Sequence, residues 1–333
     1  MTPWQIILVL ATVLLADLVA HWIYAIIALR RFEQSPLFNV LAPPEEAVAP
    51  EIFSVETSDG VRLRGGIYFP TDGIPTSIVI FVPETGGTYA TALNYVASLL
   101  DQGTAVVSFD FRNYGESEPD NRYQPGYWTT PFELRDLHRV IDFVLDQPQF
   151  AGLPLGLVGI SRGANVSLAV AATRPEVQVV WSQGAFRLDQ IVLRQTRRSM
   201  EYMVGKWTWL IPDWHVNLTL RLMFLLAERR IHASFIRLPS LLPRLSDRRV
   251  MFVSGDRDSY IPTEMTRDIC LGAGHDPDDS LWIVRGAKHN LERVSQAKQY
   301  DQKLVEFFDQ AFKNCRQSNS TAKKISQAAQ IAS

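Results

Sequence analysis

A serine, an aspartate and a histidine lying far apart in this chain could together turn an alcohol into a nucleophile. Ser161 stands between two glycines in LGLVGISRGAN (155–165), where an apolar run gives way to small residues able to wind into a helix. A serine hydroxyl attacks a carbonyl carbon only when a base removes its proton, a second group orients that base, and donors receive the oxyanion. His289, in WIVRGAKHN, and Asp258, in VMFVSGDRDSYIP, each follow an apolar run of strand character and could serve as base and orienting carboxylate. Asp256 competes locally with Asp258. Of the other histidines, His21 lies in an N-terminal apolar segment, His138 in a predicted helix before Ser161, His215 and His232 in an insertion, and His275 ahead of the last strand. A five-residue Gly-x-Ser-x-Gly pattern recurs by chance, so the weight rests on the joint arrangement.

The elements that must position these residues alternate regularly. EIFSVETSDGVRLRGGIYFP reads as a hairpin turning at Ser58-Asp59-Gly60, and SIVIFV, TAVVSFDF, LGLVGI and VQVVWSQGAF as short buried strands. Between them, helical spacing runs through Leu100, from Pro131 to Gln147 with Pro in the first turn, and from Ala164 to Thr173. Residues 187–247 break this rhythm. Two more strand–helix units follow, the last helix reaching about Lys313. Such alternation predicts an α/β fold with a mostly parallel sheet covered on both faces, where function collects beyond the carboxyl ends of the strands.

This order of elements, with Gly-Ile-Ser-Arg-Gly at a strand-to-helix turn, resembles the α/β-hydrolase superfamily over roughly residues 51–313. The resemblance implies a core at 51–186 and 248–314, a helical cap at 187–247, and a triad in chain order: Ser161, Asp258, His289. The Gly255, Asp258 and Pro262 spacing matches the surroundings of the family's triad acid. Asp110, Arg112, Tyr114, Gly115 and Ser117 in FDFRNYGESE match a further family loop, read here as structural. By position, the backbone N–H groups of Thr85 and Arg162 would form the oxyanion hole. Here the chain departs from the family, because Pro83-Glu84-Thr85-Gly86-Gly87 replaces the usual His-Gly-x. A Glu84 carboxylate aimed at the hole would oppose a negative transition state, so it must point away, be paired, or mark a loop that has lost this role. The implied activity is hydrolysis of an ester or thioester, acyl or lipid-like, through an acyl-enzyme. The alternatives are an aminopeptidase-like amide hydrolase and a non-catalytic scaffold that binds at the membrane.

The N-terminus adds a location. Residues 4–29, WQIILVLATVLLADLVAHWIYAIIAL, form a 26-residue apolar segment, roughly 39 Å as a helix against a hydrocarbon layer of ~30 Å. No Lys or Arg precedes it, and Arg30 and Arg31 follow at once. A single transmembrane anchor over 3–29 is therefore expected, with the rest of the chain on the cytoplasmic side; a removed export signal and a helix docked on a soluble domain are the alternatives. Asp17 and His21, spaced i and i+4, read as a polar pair on one helix face. Residues 30–50, ending LAPPEEAVAP, read as a linker, and 315–333 as a mobile tail without bulky apolar residues. The insertion places Arg beside Trp, Phe and Leu, a composition suited either to anionic lipid headgroups or to a cap whose Arg stems cover apolar surface and pair with the acidic core domain.

The net charge of −2 gives no reason to expect nucleic acid, and two distant cysteines build neither a disulfide framework nor a metal cluster. No metal or cofactor is expected: no His, Asp and Glu group shows ligand spacing, Asp276, Asp278 and Asp279 read as a solvated turn, and ETGGTYAT lacks the lysine of a phosphate loop.

Overall fold

The computed structural model describes residues 2–33, 40–45, 48–124, 126 and 128–331, apart from the side chains at 204, 206 and 318–331. The chain forms two compact units: a larger one of Phe38–Asn121, Tyr127–Arg187 and Phe235–Ser333, and a smaller one of Met1–Leu37, Arg122–Gly126 and Leu188–Ser234.

The larger unit is built on an eight-stranded sheet in the order β1-β2-β4-β3-β5-β6-β7-β8. The strands are β1 Glu51–Glu56, β2 Arg62–Tyr68, β3 Ser77–Val82, β4 Thr104–Phe109, β5 Leu155–Ile160, β6 Val177–Gln183, β7 Arg249–Gly255 and β8 Leu281–Val284. β1 and β2 form an antiparallel hairpin whose second strand pairs antiparallel with β4, and every other pairing is parallel. Every residue of β3, β4 and β5 is buried, as near-continuous Val, Ile and Phe runs require when helices cover both faces. The carboxyl ends of β3, β5, β7 and β8 therefore share one edge of the sheet, the edge at which Thr85, Ser161, Asp258 and His289 follow their strands.

The helices of this unit are α2 Leu93–Leu100, α3 Pro131–Leu145, α4 Arg162–Ala171, α7 Thr263–Gly272, the short α8 Pro277–Ser280 and α9 Glu292–Ser295, and α10 Ala297–Ile331. α3 starts where the Thr130 side chain and Glu133 form a reciprocal capping box. Tyr300, Leu304, Phe307, Phe308 and Phe312 of α10 join the main core around Trp181. Gly156 leaves room for them: a Cβ there would stand 2.6 Å from the Phe308 ring.

α10 continues well past Lys313, so the expected tail is helical backbone through Ile331, with 332–333 outside the described residues. Its last turns contain Ala, Lys and Gln and no Gly or Pro, and such residues wind into a helix without needing an apolar face. The linker likewise starts later than expected, since helix continues to Glu33; residues 34–39 and 46–47 lie outside the described residues. Asn94 of α2 donates to the Ala42 carbonyl at 2.7 Å, tying part of that linker to the larger unit.

The smaller unit contains α1 Pro3–Glu33, α5 Leu188–Val204, a 3-10 turn at Gly205–Leu210, and α6 Asp213–Ile231. α6 lies along α1 and runs parallel to it. His21, Ala25 and Leu29 of α1 are buried, as are Val216, Leu220, Met223 and Ala227 of α6, the spacing of two ridges laid together. Phe32 meets Phe224 edge-on at 6.0 Å, and Arg230 pairs with Glu33 at 3.2 Å. The insertion expected to be one cap thus divides. Leu188–Ser234 belongs to this helical unit, whereas Phe235 onward joins the sheet unit, because Leu238, Leu242 and Leu245 supply apolar side chains that bury there. α1 is the described helix long and apolar enough to cross a membrane.

Candidate active site

The turn between β5 and α4 holds Ser161 at φ 52°, ψ −115°, a region that costs a non-glycine residue about 1–3 kcal/mol. Two glycines permit it. A Cβ at Gly159 would lie 2.4 Å from the Gly163 carbonyl, and one at Gly163 would lie 2.0 Å from the Val82 carbonyl. The second contact also presses the serine turn against the end of β3, where the loop carrying Thr85 begins.

Ser161 Oγ lies 3.0 Å from His289 Nε2, and His289 Nδ1 lies 2.6 Å from Asp258 Oδ2. All three side chains are buried. The other Asp258 oxygen accepts the backbone N–H groups of Tyr260 at 2.8 Å and Ile261 at 2.9 Å, which fixes the carboxylate. Burial alone would push the His289 pKa down. The hydrogen bond and charge of Asp258 outweigh it and hold the ring above the ordinary histidine value. The structure thus brings together the serine, histidine and aspartate expected from chain order. Asp256 is turned elsewhere, accepting the Gly286 N–H at 2.6 Å. His275 bonds the Leu245 carbonyl at 3.1 Å, and His232 terminates α6 with a left-handed backbone.

Arg162 opens α4. Its buried side chain leans on the rings of Phe111 and Tyr114, with Glu133 at 3.8 Å. Thr85 lies half-buried in the loop after β3. Glu84, the residue that challenged this loop, is fully buried, and the Tyr95 hydroxyl of α2 donates to its Oε1 at 3.0 Å. Burial raises its pKa and favours the uncharged acid. The loop after β4 is structural in its contacts. Arg112 is buried among Asp136, Asp120 and Asp59, while Asp110 accepts the N–H groups of Tyr89 and Glu116.

Sequence reasoning missed a second buried carboxyl beside the histidine. Glu292 accepts from Gln183 Nε2 at 2.6 Å, Gln183 accepts from the Tyr300 hydroxyl at 2.8 Å, and the Gln183 backbone carbonyl accepts the Ser161 N–H at 2.8 Å. Burial lifts Glu292 to about 7. The one sequence signal was its position, three residues after His289. Gly184 was also unremarked; a Cβ there would approach His289 Cε1 to 3.3 Å, so glycine leaves the ring its place.

A mostly parallel sheet with a strained serine after one strand, and its aspartate and histidine after two later ones, defines an α/β hydrolase architecture. The chain belongs to the alpha/beta hydrolase family, whose model matches residues 79–301. It is 25% identical over 159 residues to thiohydrolase aneE of Aspergillus aculeatus, covering 45% of this chain and 48% of that protein. It is 30% identical over 112 residues to human acyl-coenzyme A thioesterase 1, covering 33% of this chain and 24% of that protein. The chain thus spans less than half the length of these two curated relatives. Among solved structures, an esterase of Pyrococcus furiosus superposes with a TM-score of 0.57 at 18% identity, covering 84% of this chain and 97% of that one.

Proposed function

We propose that this protein is a membrane-anchored serine hydrolase that cleaves an ester or thioester with an acyl or lipid-like portion. The observation that carries this reading is the hydrogen-bonded line from Ser161 through His289 to Asp258 at a strained strand–helix turn. The names of the two curated relatives, a thiohydrolase and an acyl-coenzyme A thioesterase, support the thioester side of it.

Ser161 Oγ forms a bond to the substrate carbonyl carbon as its proton passes to His289 Nε2. Asp258 keeps the ring in the tautomer that accepts there and stabilises the imidazolium. The carbonyl electron pair moves onto oxygen, which the backbone N–H groups of Thr85 and Arg162 receive. Glu84 Oε1 accepts from Tyr95, and burial, which raises the Glu84 pKa, disfavours a negative charge beside that oxyanion. Collapse expels the alkoxide or thiolate, protonated by His289. Water, deprotonated by the same ring, then attacks the acyl carbon; the bond to Ser161 Oγ breaks, Oγ takes the proton back from His289, and the acid leaves. In this reading α1 is the anchor, and the positive charge of Arg30 and Arg31 just after its apolar stretch supports a cytoplasmic carboxyl end.

A fluorophosphonate probe tests the chemistry. It should label the intact protein and fail to label Ser161→Ala, whose kcat on p-nitrophenyl esters or acyl thioesters falls on the order of 10⁶-fold. Absent labelling, or labelling that survives Ser161→Ala, would overturn the reading.

A further inference from the structure

Two pairs of polar residues, each spaced i and i+4, face each other across α1 and α6: Asp17 with His21, and His215 with Thr219. Asp17 Oδ1 lies 3.1 Å from His215 Nε2, and Asp17 Oδ2 lies 3.5 Å from His21 Nε2. One ligand atom from each of Asp17, His21 and His215 falls within 4.8 Å of the other two. The imidazole rings sit side by side, centroids 4.3 Å apart. Sequence reading saw only the Asp17 and His21 half of this group, because its third member comes 198 residues after Asp17.

The state of His21 distinguishes the cluster from an ordinary polar contact. The residue is 2% exposed. Its Nδ1 is engaged by Thr219 Oγ1 at 2.6 Å, while its Nε2 is buried without a hydrogen-bond partner. If Nδ1 donates to Thr219, Nε2 carries a bare lone pair directed at Asp17 and His215. That is how an outer hydrogen bond fixes the tautomer of a metal-binding histidine.

We propose that Asp17, His21 and His215 form a Zn²⁺ site that clasps α6 to α1. Zinc bonds of ~2.0–2.2 Å in tetrahedral geometry set neighbouring ligand atoms about 3.3–3.5 Å apart; each imidazole Nε2 stands near that span from its own Asp17 oxygen, His215 at 3.1 Å from Oδ1 and His21 at 3.5 Å from Oδ2, and an ion would draw one ligand atom from each residue together from within 4.8 Å. Two neutral imidazoles and one carboxylate suit zinc, with water as the fourth ligand. The partial exposure of Asp17 and His215 gives the ion a way in. Counted from Pro3, residues 17–21 lie roughly 21–27 Å along α1, near the far edge of a hydrocarbon layer of ~30 Å. An ion can reach that level from the water beyond it. The site lies wholly within the helical unit and does not depend on the hydrolase reading.

The test uses the full-length protein in detergent, stripped with a chelator and titrated with Co²⁺ alone. One equivalent should produce visible d–d absorption that Zn²⁺ abolishes. His215→Ala and Asp17→Asn should each remove the absorption, and Thr219→Val, which loses only the orienting hydroxyl, should weaken binding 10–100-fold. Circular dichroism and size-exclusion elution identify variants that remain folded. Should the wild type show no cobalt absorption, or the absorption persist unchanged in folded His215→Ala and Asp17→Asn, the cluster is a hydrogen-bonded clasp and the zinc site is wrong.

Discussion

The two units handle apolar surface in opposite ways. The sheet unit buries it, with Val, Ile and Phe filling its layers, and buries Arg112, Glu84, Glu292 and Asp258 with named partners as well. The helical unit leaves its apolar groups outside. Most of α1 is exposed, as are Tyr202 at 94%, Trp207 at 66% and Trp209 at 74%. An apolar surface of that extent does not suit water, and aromatic rings of this kind favour the boundary between water and lipid. The contrast teaches that the two units meet their surroundings differently, which fits the anchored reading proposed above. The chemistry is concentrated where single atoms are tightly constrained, while the other unit tolerates change on its surface.

That contrast can be broken or sharpened by substitution. After the loss of Ser161 itself, the largest effect is expected at the buried carboxylate: Asp258→Asn should lower kcat about 10⁴-fold by allowing the wrong His289 tautomer, measured by steady-state turnover of an acyl ester. A loss below tenfold would remove Asp258 from the site. Next comes the packing of the serine turn. Gly163→Ala forces a methyl group against the Val82 carbonyl and should cost about 1–3 kcal/mol, read from denaturant unfolding; an unchanged midpoint would show the turn to be loose. The pH profile follows. His289 is idle when protonated, and Asp258 raises its pKa, so kcat/KM should climb about tenfold per pH unit and level off above the ordinary histidine value. A profile levelling off below that value would contradict the Asp258 pairing. The smallest effect belongs to the helical unit: Trp209→Ala should change unfolding free energy by no more than about 0.5 kcal/mol while reducing binding to anionic vesicles. A large stability loss would mean that this exposed surface packs within the protein.

The parts legible in the sequence were those written locally. Short β-branched runs such as SIVIFV and LGLVGI suit buried strands, and the serine turn, Asp258 and His289 each sit just after such a run. The family resemblance then supplied the order Ser161, Asp258, His289, and parallel strands deliver their carboxyl ends to one edge. What escaped were relations between distant segments. Nothing in the periodicity of α1 points to α6, and Glu84 gives no sign that Tyr95 waits for it. The end of α10 was misjudged for another reason: apolar spacing reports packing, whereas Ala, Lys and Gln sustain a helix without it.

The pairing of α1 with α6 bears on how the protein can be made soluble. Deleting residues 1–33, the obvious step for an apolar N-terminus, would remove the wall that covers Val216, Leu220, Met223 and Ala227. The truncated chain would exchange one greasy helix for a freshly uncovered stripe and gather into aggregates. Polar replacements on the outward face of α1, at Leu8, Leu14, Leu15 and Ile23, would keep that wall standing.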